Sequence, residues 1–139
     1  NDGDPITIHS DSTRTIPGSR FYIHAADVAD AMQFLLELDD SKLEADYGDA
    51  KCPKFNLVGK QEINNLQLAQ IIADAQGKEL KYEMMDFHSA RPGHDLRYAL
   101  DGDYMRQLGW EPKVELTERI GEVVDWTLHN DRWLRCEDL

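Results

Sequence analysis

Between Lys54 and Gly77 the chain reads KFNLVGKQEINNLQLAQIIADAQG, and within this segment the pattern passes from strand to helix. The residues from Lys54 to Val58 predict a short strand. Asn64 and Gln67 have the spacing of a capping box, so we predict a helix that begins at Asn64. Gly77 is suited to end it, because glycine readily adopts the left-handed conformation found just after helices. The helix would bury one apolar stripe, formed by Leu68, Ile71, Ile72 and Ala75.

Strand and helix patterns alternate on both sides of this segment. We predict strands over residues 4–8, 20–23 and 80–85, a loop over 88–95, and helices after Asp27, after Asp101 and over 117–130. Asp27 would cap its helix or lie in the first turn. The predicted buried positions are Val28, Ala31, Met32, Leu35 and Leu36 in the first helix, and Ile120, Val123, Val124 and Leu128 in the last. The fold class is mixed α/β, and it is incomplete because no GxGxxG turn follows a strand.

Composition limits the classes of function. The chain has 139 residues and 41% hydrophobic residues, so we expect a single folded domain over residues 1–139. Its formal net charge of -12 argues against nucleic acid as a partner, because such binding needs a basic surface. No apolar run is long enough to cross a bilayer, so no membrane partner is expected. A few clustered arginines could still bind a small anion.

The chain has two cysteines, Cys52 and Cys136, and their spacing bears on the redox compartment of the protein. They form no CxxC pair and no zinc spacing, and we interpret them as free thiols of a cytoplasmic protein, with a disulfide as the alternative. The polar start of the chain has no signal-peptide pattern. The first residue is not Met, which suggests a piece of a longer protein.

The segment Arg91-Pro-Gly-His94-Asp95 is the strongest candidate for a binding site. Pro and Gly favour a tight turn, which would hold a guanidinium and an imidazole close together. Both groups can donate hydrogen bonds to phosphate. The alternative is an ordinary surface turn in which Asp95 pairs with Arg97 or Arg91. No nucleophile elbow, HExxH motif or P-loop is present, and the histidines are scattered.

Two further polar residues lie on predicted strands. Arg20 is either a ligand-binding residue or an ordinary surface arginine. Asn56 lies between apolar neighbours, where a buried amide needs a partner, and either the backbone or a ligand would serve. Trp110, Trp126 and Trp133 are interpreted as residues of the core or of an interface rather than as a stacking platform.

Several motifs occur in an order that is similar to a known family. They are Gly3-x-Pro5, the run from Arg20 to Ala29, Phe55-Asn-Leu-Val-Gly59, the eleven residues from Arg91 to Asp101, Leu108-Gly-Trp-x-Pro112, and Trp126 with Asn130 and Trp133. Nearly the whole chain takes part in the match. The chain thereby resembles the C-terminal substrate-binding part of the NAD-dependent epimerase/dehydratases, within the extended short-chain dehydrogenase/reductases. The dTDP-glucose 4,6-dehydratases are the most similar group.

The resemblance implies a substrate-binding site for a nucleotide sugar. Arg20 and Arg91 would contact the diphosphate, and Asn56 and His94 would line the same site. The strand from Ile6 to His9, including Ile8, would lie along the base, with His9 at the position of an aromatic tyrosine in the family. Thr7 and Thr127 depart from the family pattern, which affects base and sugar specificity more than the diphosphate site.

The resemblance also implies where the cofactor and the catalytic residues of a full-length enzyme lie. NAD and the catalytic residues belong to the family's N-terminal Rossmann domain, so we expect no cofactor and no catalytic residue here. Tyr47 and Lys51 match the bare Tyr-x-x-x-Lys spacing, but in an acidic connection that we interpret as coincidental. Partners would be a nucleotide sugar and the missing Rossmann domain or a separate chain. Whether the chain is itself an enzyme stays open.

Three hypotheses about function follow. The first is the diphosphate-binding portion of a nucleotide-sugar 4,6-dehydratase or epimerase. The second is a stand-alone, non-catalytic module that binds a nucleotide sugar or a protein. The third is a small acidic interaction protein without a ligand. Under the first, the faces that normally pack on the Rossmann domain would be exposed, and we expect the chain to self-associate through them.

Overall fold

A computed structural model describes residues 3–43, 53–90, 92 and 95–134. Cys52 and Cys136 lie outside the described residues, so the prediction of free thiols is not tested. The Tyr47–Lys51 spacing and two predicted site residues, Arg91 and His94, lie outside them as well.

Short strands and helices alternate along the described chain, and the predicted mixed α/β class is confirmed. The strands are β1 (Ile6–Ser10), β2 (Ser19–Arg20), β3 (Ile63–Asn64), β4 (Tyr82–Asp86) and β5 (Arg97–Tyr98). The helices are α1 (Ala25–Glu37), α2 (Asn65–Ala75), α3 (Phe87–Ala90), α4 (Asp103–Leu108) and α5 (Leu116–His129). Two 3-10 helices cover Asp40–Lys42 and Asp131–Leu134. None of the described helices is both long and apolar enough to cross a bilayer.

The strands form two small sheets. In the first, β1 pairs with β4 in parallel, with Ile6 opposite Tyr82 and Ser10 opposite Asp86. In the second, β2 lies in the centre, antiparallel to β3 and parallel to β5. The loop between β1 and β2 returns the chain to the first sheet, because Gly18 donates its N–H to the carbonyl of His9. The two sheets therefore meet where β1 ends and β2 begins.

Local signals set the ends of α2 as predicted. The Asn64 side chain accepts from the N–H of Gln67 while the Gln67 side chain accepts from the N–H of Asn64, which completes a capping box. At the other end Gly77 has a φ of 63°, and Lys78 donates to the carbonyl of Ala73. This is a Schellman ending, which satisfies carbonyls left free by the last turn.

The first helix begins earlier than predicted and buries a different face. His24 is its N-cap, and Asp27 lies in the first turn. Ala31 is fully buried, but Met32 is 59% and Leu36 is 87% exposed, so the predicted stripe is wrong at these two positions. The core lies on the side of Phe34 and Leu35, because α4 and the loop after it cover that side of α1.

Three other predictions along the chain were wrong in detail. Residues 54–58 form no strand, although Phe55 and Leu57 pack on the core and Val58 is buried. Of the predicted strand at 20–23, only Arg20 lies in a strand, which is β2. The predicted loop over 88–95 contains most of α3, and β5 was not predicted at all. Two-residue strands carry too little periodicity to be detected.

The core centres on Ala31, Met105 and Trp110, with partly buried neighbours from α1, α4 and the 53–59 segment. Trp110 is buried as predicted, and its indole N–H donates to Asp30 Oδ2 at 2.8 Å. Trp126 and Trp133 are 53% and 57% exposed, so neither is a core residue, and the interface alternative for Trp133 stays a prediction. They pack on each other beside α5, with ring centroids 6.2 Å apart.

One ion pair joins two helices in the interior. Asp27 of α1 is only 5% exposed, and its carboxylate accepts hydrogen bonds from Nε and Nη2 of Arg119 on α5. The Arg119 guanidinium also donates to Glu122. Hydrogen bonds to Asp27 and Glu122 raise the pKa of Arg119 above its ordinary value. Since charges are costly to bury alone, each partner needs the other.

An open apolar cleft lies between the β1–β4 sheet, α2 and α5. Its volume is about 840 Å³, and its apolar lining includes Ile6, Ile8, Leu68, Ile72, Val124 and Leu128. Most residues of the predicted α2 and α5 stripes therefore point toward this cleft rather than into a closed core. Of the four residues predicted to be buried in α5, only Val124 is buried, and Leu128 is 54% exposed.

Glycines at two positions differ in the space around them, which gives a stability prediction. A Cβ at Gly59 would lie 1.9 Å from the backbone oxygen of Tyr22, whereas a Cβ at Gly121 in α5 would meet nothing within 4 Å. We expect Gly59→Ala to lower the free energy of unfolding by about 1–3 kcal/mol, because the backbones must separate. Gly121→Ala should raise it by about 0.5–1 kcal/mol through helix propensity.

Urea denaturation of both variants measures these changes. The prediction fails if Gly59→Ala is tolerated as well as Gly121→Ala, since the close approach of residues 22 and 59 would then be absent in solution.

Candidate functional site

A small cleft lies where the two sheets meet, at the carboxyl ends of β1 and β4. Ligands of open α/β sheets bind at this end of the strands. We call it the substrate cleft, and its lining residues are His9, Gly18, Arg20, Asn65, Phe87, Asp95 and Leu96. Segments that are distant in sequence therefore meet here, including two of the predicted site residues, Arg20 and His9.

Strand register places Arg20 in this cleft. Arg20 pairs with Ile63 on one side and with Tyr98 on the other. Its guanidinium carbon lies 4.4 Å from the centroid of the Tyr98 ring, a cation–π arrangement that orients the guanidinium plane. Among the described residues, no Asp or Glu forms an ion pair with Arg20. Its charge is therefore not neutralised by a described carboxylate.

Asn65 lines one side of the cleft, and Tyr22 contacts it from outside the cleft lining. The Tyr22 hydroxyl donates to Asn65 Oδ1 at 2.6 Å, which joins the end of β2 to the start of α2. Partial burial raises the pKa of Tyr22 above its ordinary value, and the nearby Arg20 guanidinium opposes that rise. Tyr22 therefore stays protonated at neutral pH and can act as a hydrogen-bond donor.

A carboxylate next to the cleft neutralises the second arginine of the region. Glu62 accepts two hydrogen bonds from Arg97, at 2.6 and 2.8 Å, and a third from the Ser19 hydroxyl at 2.5 Å. Hydrogen bonds from Arg97 and then from Ser19 lower the pKa of Glu62 to about 2. The expected alternative, an Asp95–Arg97 pair, is not formed. We call this three-residue cluster the Glu62 bridge.

His9 and Phe87 form the opposite wall. Their ring centroids lie 6.3 Å apart with the planes tilted by 46°. His9 is half-buried and lines both the substrate cleft and the apolar cleft. Ile8 is 5% exposed and lines only the apolar cleft, so its side chain faces away from Arg20.

Arg91 and His94 lie outside the described residues, and residues on both sides of them in the sequence line the substrate cleft. Phe87 precedes them, Asp95 and Leu96 follow them, and all three line the substrate cleft. Leu96 is held in place because its carbonyl accepts from the N–H of Ser19 at 3.0 Å.

Asn56 lies in a different cleft, together with Phe21, Gly102 and Trp110. Its Nδ2 donates to the backbone carbonyl of Asp101 at 3.0 Å, and the residue is exposed rather than buried. Of the two partners left open by the sequence, the structure supplies the backbone one.

Sequence reasoning missed Asn65, Phe87, Tyr98 and Glu62. Tyr98 belongs to the run from Arg91 to Asp101 that resembles the family, so its contribution had a signal. The contributions of Asn65, Glu62 and Phe87 depend on the pairing of β2 with β3 and of β1 with β4.

The described residues were also tested for metal and NAD. No group of three His, Cys, Asp or Glu among them could hold a metal ion. They do not fit a dinucleotide either, since β4 runs directly into α3 without a glycine and β1 is followed by a loop rather than a helix.

Several known proteins are similar to this chain in sequence or in fold. A dTDP-glucose 4,6-dehydratase of Shigella flexneri is 36% identical over 86 residues, which are 58% of this chain and 24% of that protein. One of Xanthomonas campestris is 26% identical over 141 residues, with 96% of this chain and 36% of that protein covered. UDP-glucuronic acid 4-epimerase of Bacillus cereus, solved with UDP-glucuronic acid and NAD, matches with a TM-score of 0.68 at 18% identity, over 91% of this chain and 36% of that one. No family model matches the chain.

These similarities confirm the resemblance drawn from the sequence. The chain has the fold of the C-terminal part of an NAD-dependent epimerase/dehydratase of the extended short-chain dehydrogenase/reductases. Its curated relatives are dTDP-glucose 4,6-dehydratases, and it spans about a quarter to a third of their length, 24% in one and 36% in another.

Proposed function

We propose that this chain binds the diphosphate of a nucleotide sugar, as the substrate-binding portion of an NAD-dependent 4,6-dehydratase or epimerase. The observation that carries the proposal is the position of Arg20. It lies in a cleft at the carboxyl ends of two parallel strands, oriented by Tyr98 and without a described carboxylate partner. The chain has a net charge of -12, yet no described carboxylate pairs with this guanidinium. An anionic ligand would supply the missing partner.

A second cation is proposed for the same site. Arg91 and His94 lie in the sequence between Phe87 and Asp95, and both of those flanking residues line the substrate cleft. We propose that the Arg91 guanidinium and the His94 imidazole contact the same ligand as Arg20. Two arginines that converge on one pyrophosphate would give charge-assisted binding with bidentate geometry.

The base is proposed to lie beside β1. His9 lines the substrate cleft next to Phe87, and it offers a ring face for a flat heterocycle. Ile8 would contribute through its backbone only, because its side chain is buried. The role of Asn56 stays a prediction, since its amide is bonded to Asp101 in the neighbouring cleft.

Under this proposal the chain binds and orients substrate but does not carry out the chemical step. The hydride transfer that NAD supplies would belong to the part of the enzyme that corresponds to the remaining length of the relatives. In this chain the Arg20 guanidinium would hold the diphosphate, and the Tyr22 hydroxyl would keep Asn65 and the start of α2 in place.

Calorimetric titration with dTDP, dTMP and thymidine tests the proposal. We expect binding of dTDP, weaker binding of dTMP and little heat with thymidine, because the diphosphate supplies most of the contacts. Absence of heat with dTDP at millimolar concentration, with UDP also inactive, would contradict the proposed function. The pattern of the three ligands also separates phosphate recognition from base recognition.

The apolar cleft leads to a proposal about partners. Its lining residue Leu128 is 54% exposed, and Trp133 and Leu134 beside it are 57% and 58% exposed. In the isolated chain we propose that a second copy covers this face, because exposed apolar area of this kind favours association. Sedimentation velocity should then show a concentration-dependent shift toward a dimer.

Leu128→Glu should move that equilibrium toward the monomer. Leu100→Glu is the matched control, since Leu100 is 61% exposed but does not line the apolar cleft. A chain that stays monomeric at high concentration, or a dimer that both substitutions leave intact, would contradict the proposed interface.

A further inference from the structure

Asn65 lines the substrate cleft, and only one end of its side-chain amide is engaged within the chain. Its Oδ1 accepts a hydrogen bond from the Tyr22 hydroxyl at 2.6 Å. Its Nδ2 forms no hydrogen bond with any residue that the structure describes. No buried side-chain nitrogen or oxygen in the described part of the chain lacks a partner, so this Nδ2 is accessible rather than buried. The Asn65 amide therefore offers an accessible hydrogen-bond donor.

The position of Gly18 shows which way this donor faces. A Cβ at Gly18 would lie 3.2 Å from the Asn65 Nδ2. Gly18 lines the substrate cleft but not the apolar cleft, whereas Asn65 lines both. The Nδ2 of Asn65 is thus on the side of the substrate cleft, where the proposed diphosphate would bind.

Strand pairing brings the same donor close to Arg20. The backbone N–H of Asn65 donates to the carbonyl of Gly18 at 2.8 Å, which continues the antiparallel pairing of β2 with β3 by one residue. Gly18 and Arg20 are two positions apart, so their side-chain positions are on the same face of the strand. Asn65 and Arg20 are then diagonal neighbours across the pair, and Gly18 has no side chain that would separate them.

We propose that Asn65 is a further phosphate-binding residue of the substrate cleft, and that its side-chain N–H donates to a diphosphate oxygen beside the Arg20 guanidinium. This inference rests on the proposed function, because it names another residue for the same ligand. A neutral amide that donates to a phosphate oxygen forms a charge-assisted hydrogen bond, which is stronger than one between two neutral groups.

Tyr22 acts as a positioning residue in this arrangement. An asparagine amide carries its acceptor and its donor on opposite sides, so the bond from the Tyr22 hydroxyl to Oδ1 also fixes the direction of the N–H2 group. Tyr22 itself does not line the substrate cleft, and its effect on the ligand would pass through Asn65.

The direct test follows the side-chain N–H2 signals of the isotope-labelled wild-type chain by NMR during titration with dTDP. The signal pair of Asn65, assigned by its absence in the Asn65→Asp variant, should shift, because a proton that donates to an anion is deshielded. The pair of Asn130 is the matched control, since its Nδ2 already donates to the carbonyl of Trp126 and lies outside the cleft lining. The Asn130 signals should stay in place.

Calorimetric titration of variants gives the size of the effect. Asn65→Ala should weaken dTDP binding by about 5- to 20-fold, in keeping with the loss of a hydrogen bond to a charged group. Tyr22→Phe keeps the donor but releases the amide, so the loss should be smaller, about 2- to 5-fold. The double variant should bind no worse than Asn65→Ala alone, because Tyr22 acts through Asn65. Asn130→Ala should leave dTDP affinity within about 2-fold.

Two results would overturn the inference while leaving the proposed function intact. One is an unchanged dTDP affinity in Asn65→Ala. The other is an unshifted Asn65 signal pair in a wild-type chain that binds dTDP, which would mean that any loss in Asn65→Ala comes from the start of α2 and not from a ligand contact. Failure of the wild-type chain to bind dTDP would overturn both proposals, and that result needs no variant.

Discussion

Replacing Arg20 with methionine should weaken dTDP binding by about 10- to 100-fold, the loss expected for a hydrogen bond between two charged groups. Methionine keeps much of the apolar stem and its contact with Tyr98 but removes the guanidinium. The effect should be smaller for thymidine, which has no phosphate. Calorimetric titration of the wild-type chain and the variant under one salt concentration measures the difference.

The matched control for this prediction is Arg132→Met. Arg132 also lies over an aromatic ring, with its guanidinium carbon 4.8 Å from the Trp133 centroid, but it does not line the substrate cleft. Its loss should leave dTDP affinity within about 2-fold, because screening makes a distant exposed charge weak. Equal losses in the two variants would show that dTDP responds to net charge and not to a site at Arg20.

Replacing Asp27 with asparagine should lower the free energy of unfolding by about 1.5–3 kcal/mol, the contribution of hydrogen bonds to a charged group, since Arg119 keeps Glu122 as a second partner. Asparagine has nearly the same shape, so packing between α1 and α5 is preserved. The loss arises because the Arg119 guanidinium keeps its charge but loses its buried carboxylate partner and retains only the more exposed Glu122. Urea denaturation gives the change directly.

An exposed ion pair provides the comparison. Asp103→Asn removes the partner of Arg106 within α4, where both side chains are about half exposed or more, at 49% and 64%. That change should cost less than about 0.5 kcal/mol. The double variant Asp27→Asn with Arg119→Met should be less destabilised than the sum of its single changes, because it leaves no buried charge unpaired. An Asp27→Asn variant as stable as Asp103→Asn would show that the pair is hydrated in solution.

Features encoded by neighbouring residues were predictable from the sequence. The capping box at Asn64, the glycine ending at Gly77 and the burial of Trp110 all agree with the structure. Each depends on one helix turn or one side chain. The family resemblance and the mixed α/β class were predictable for a related reason, since they depend on the order of such local motifs.

Which face of a helix meets the core was less predictable. Met32 and Leu36 are as apolar as Leu35, yet only the side of Leu35 is covered by α4. The same holds for α5, where Val124 is buried and Leu128 lines an open cleft. Periodicity identifies an apolar stripe, but the neighbouring element decides which edge of that stripe is buried.

In the substrate cleft, the sequence predicted several of the residues but not the contacts that they make. Arg20, His9 and the turn at Arg91–His94 were singled out in the sequence by their chemistry and by the family motifs. The sequence alone did not show that Arg97 is held by Glu62, that Arg20 stacks on Tyr98, or that Asn56 bonds to Asp101 in another cleft. Those contacts join residues that are 35 positions apart for Glu62 with Arg97, 45 for Asn56 with Asp101 and 78 for Arg20 with Tyr98.

The sequence by itself determined the ends of α2, the mixed α/β class, the similarity to nucleotide-sugar dehydratases and the kinds of side chain available to a ligand. Only the tertiary structure decided which of those side chains share a cleft and which are neutralised by a neighbour. The reason is physical: caps and turns are formed by groups a few residues apart, whereas β2, β3 and β5 are two-residue strands whose pairing depends on distant parts of the chain.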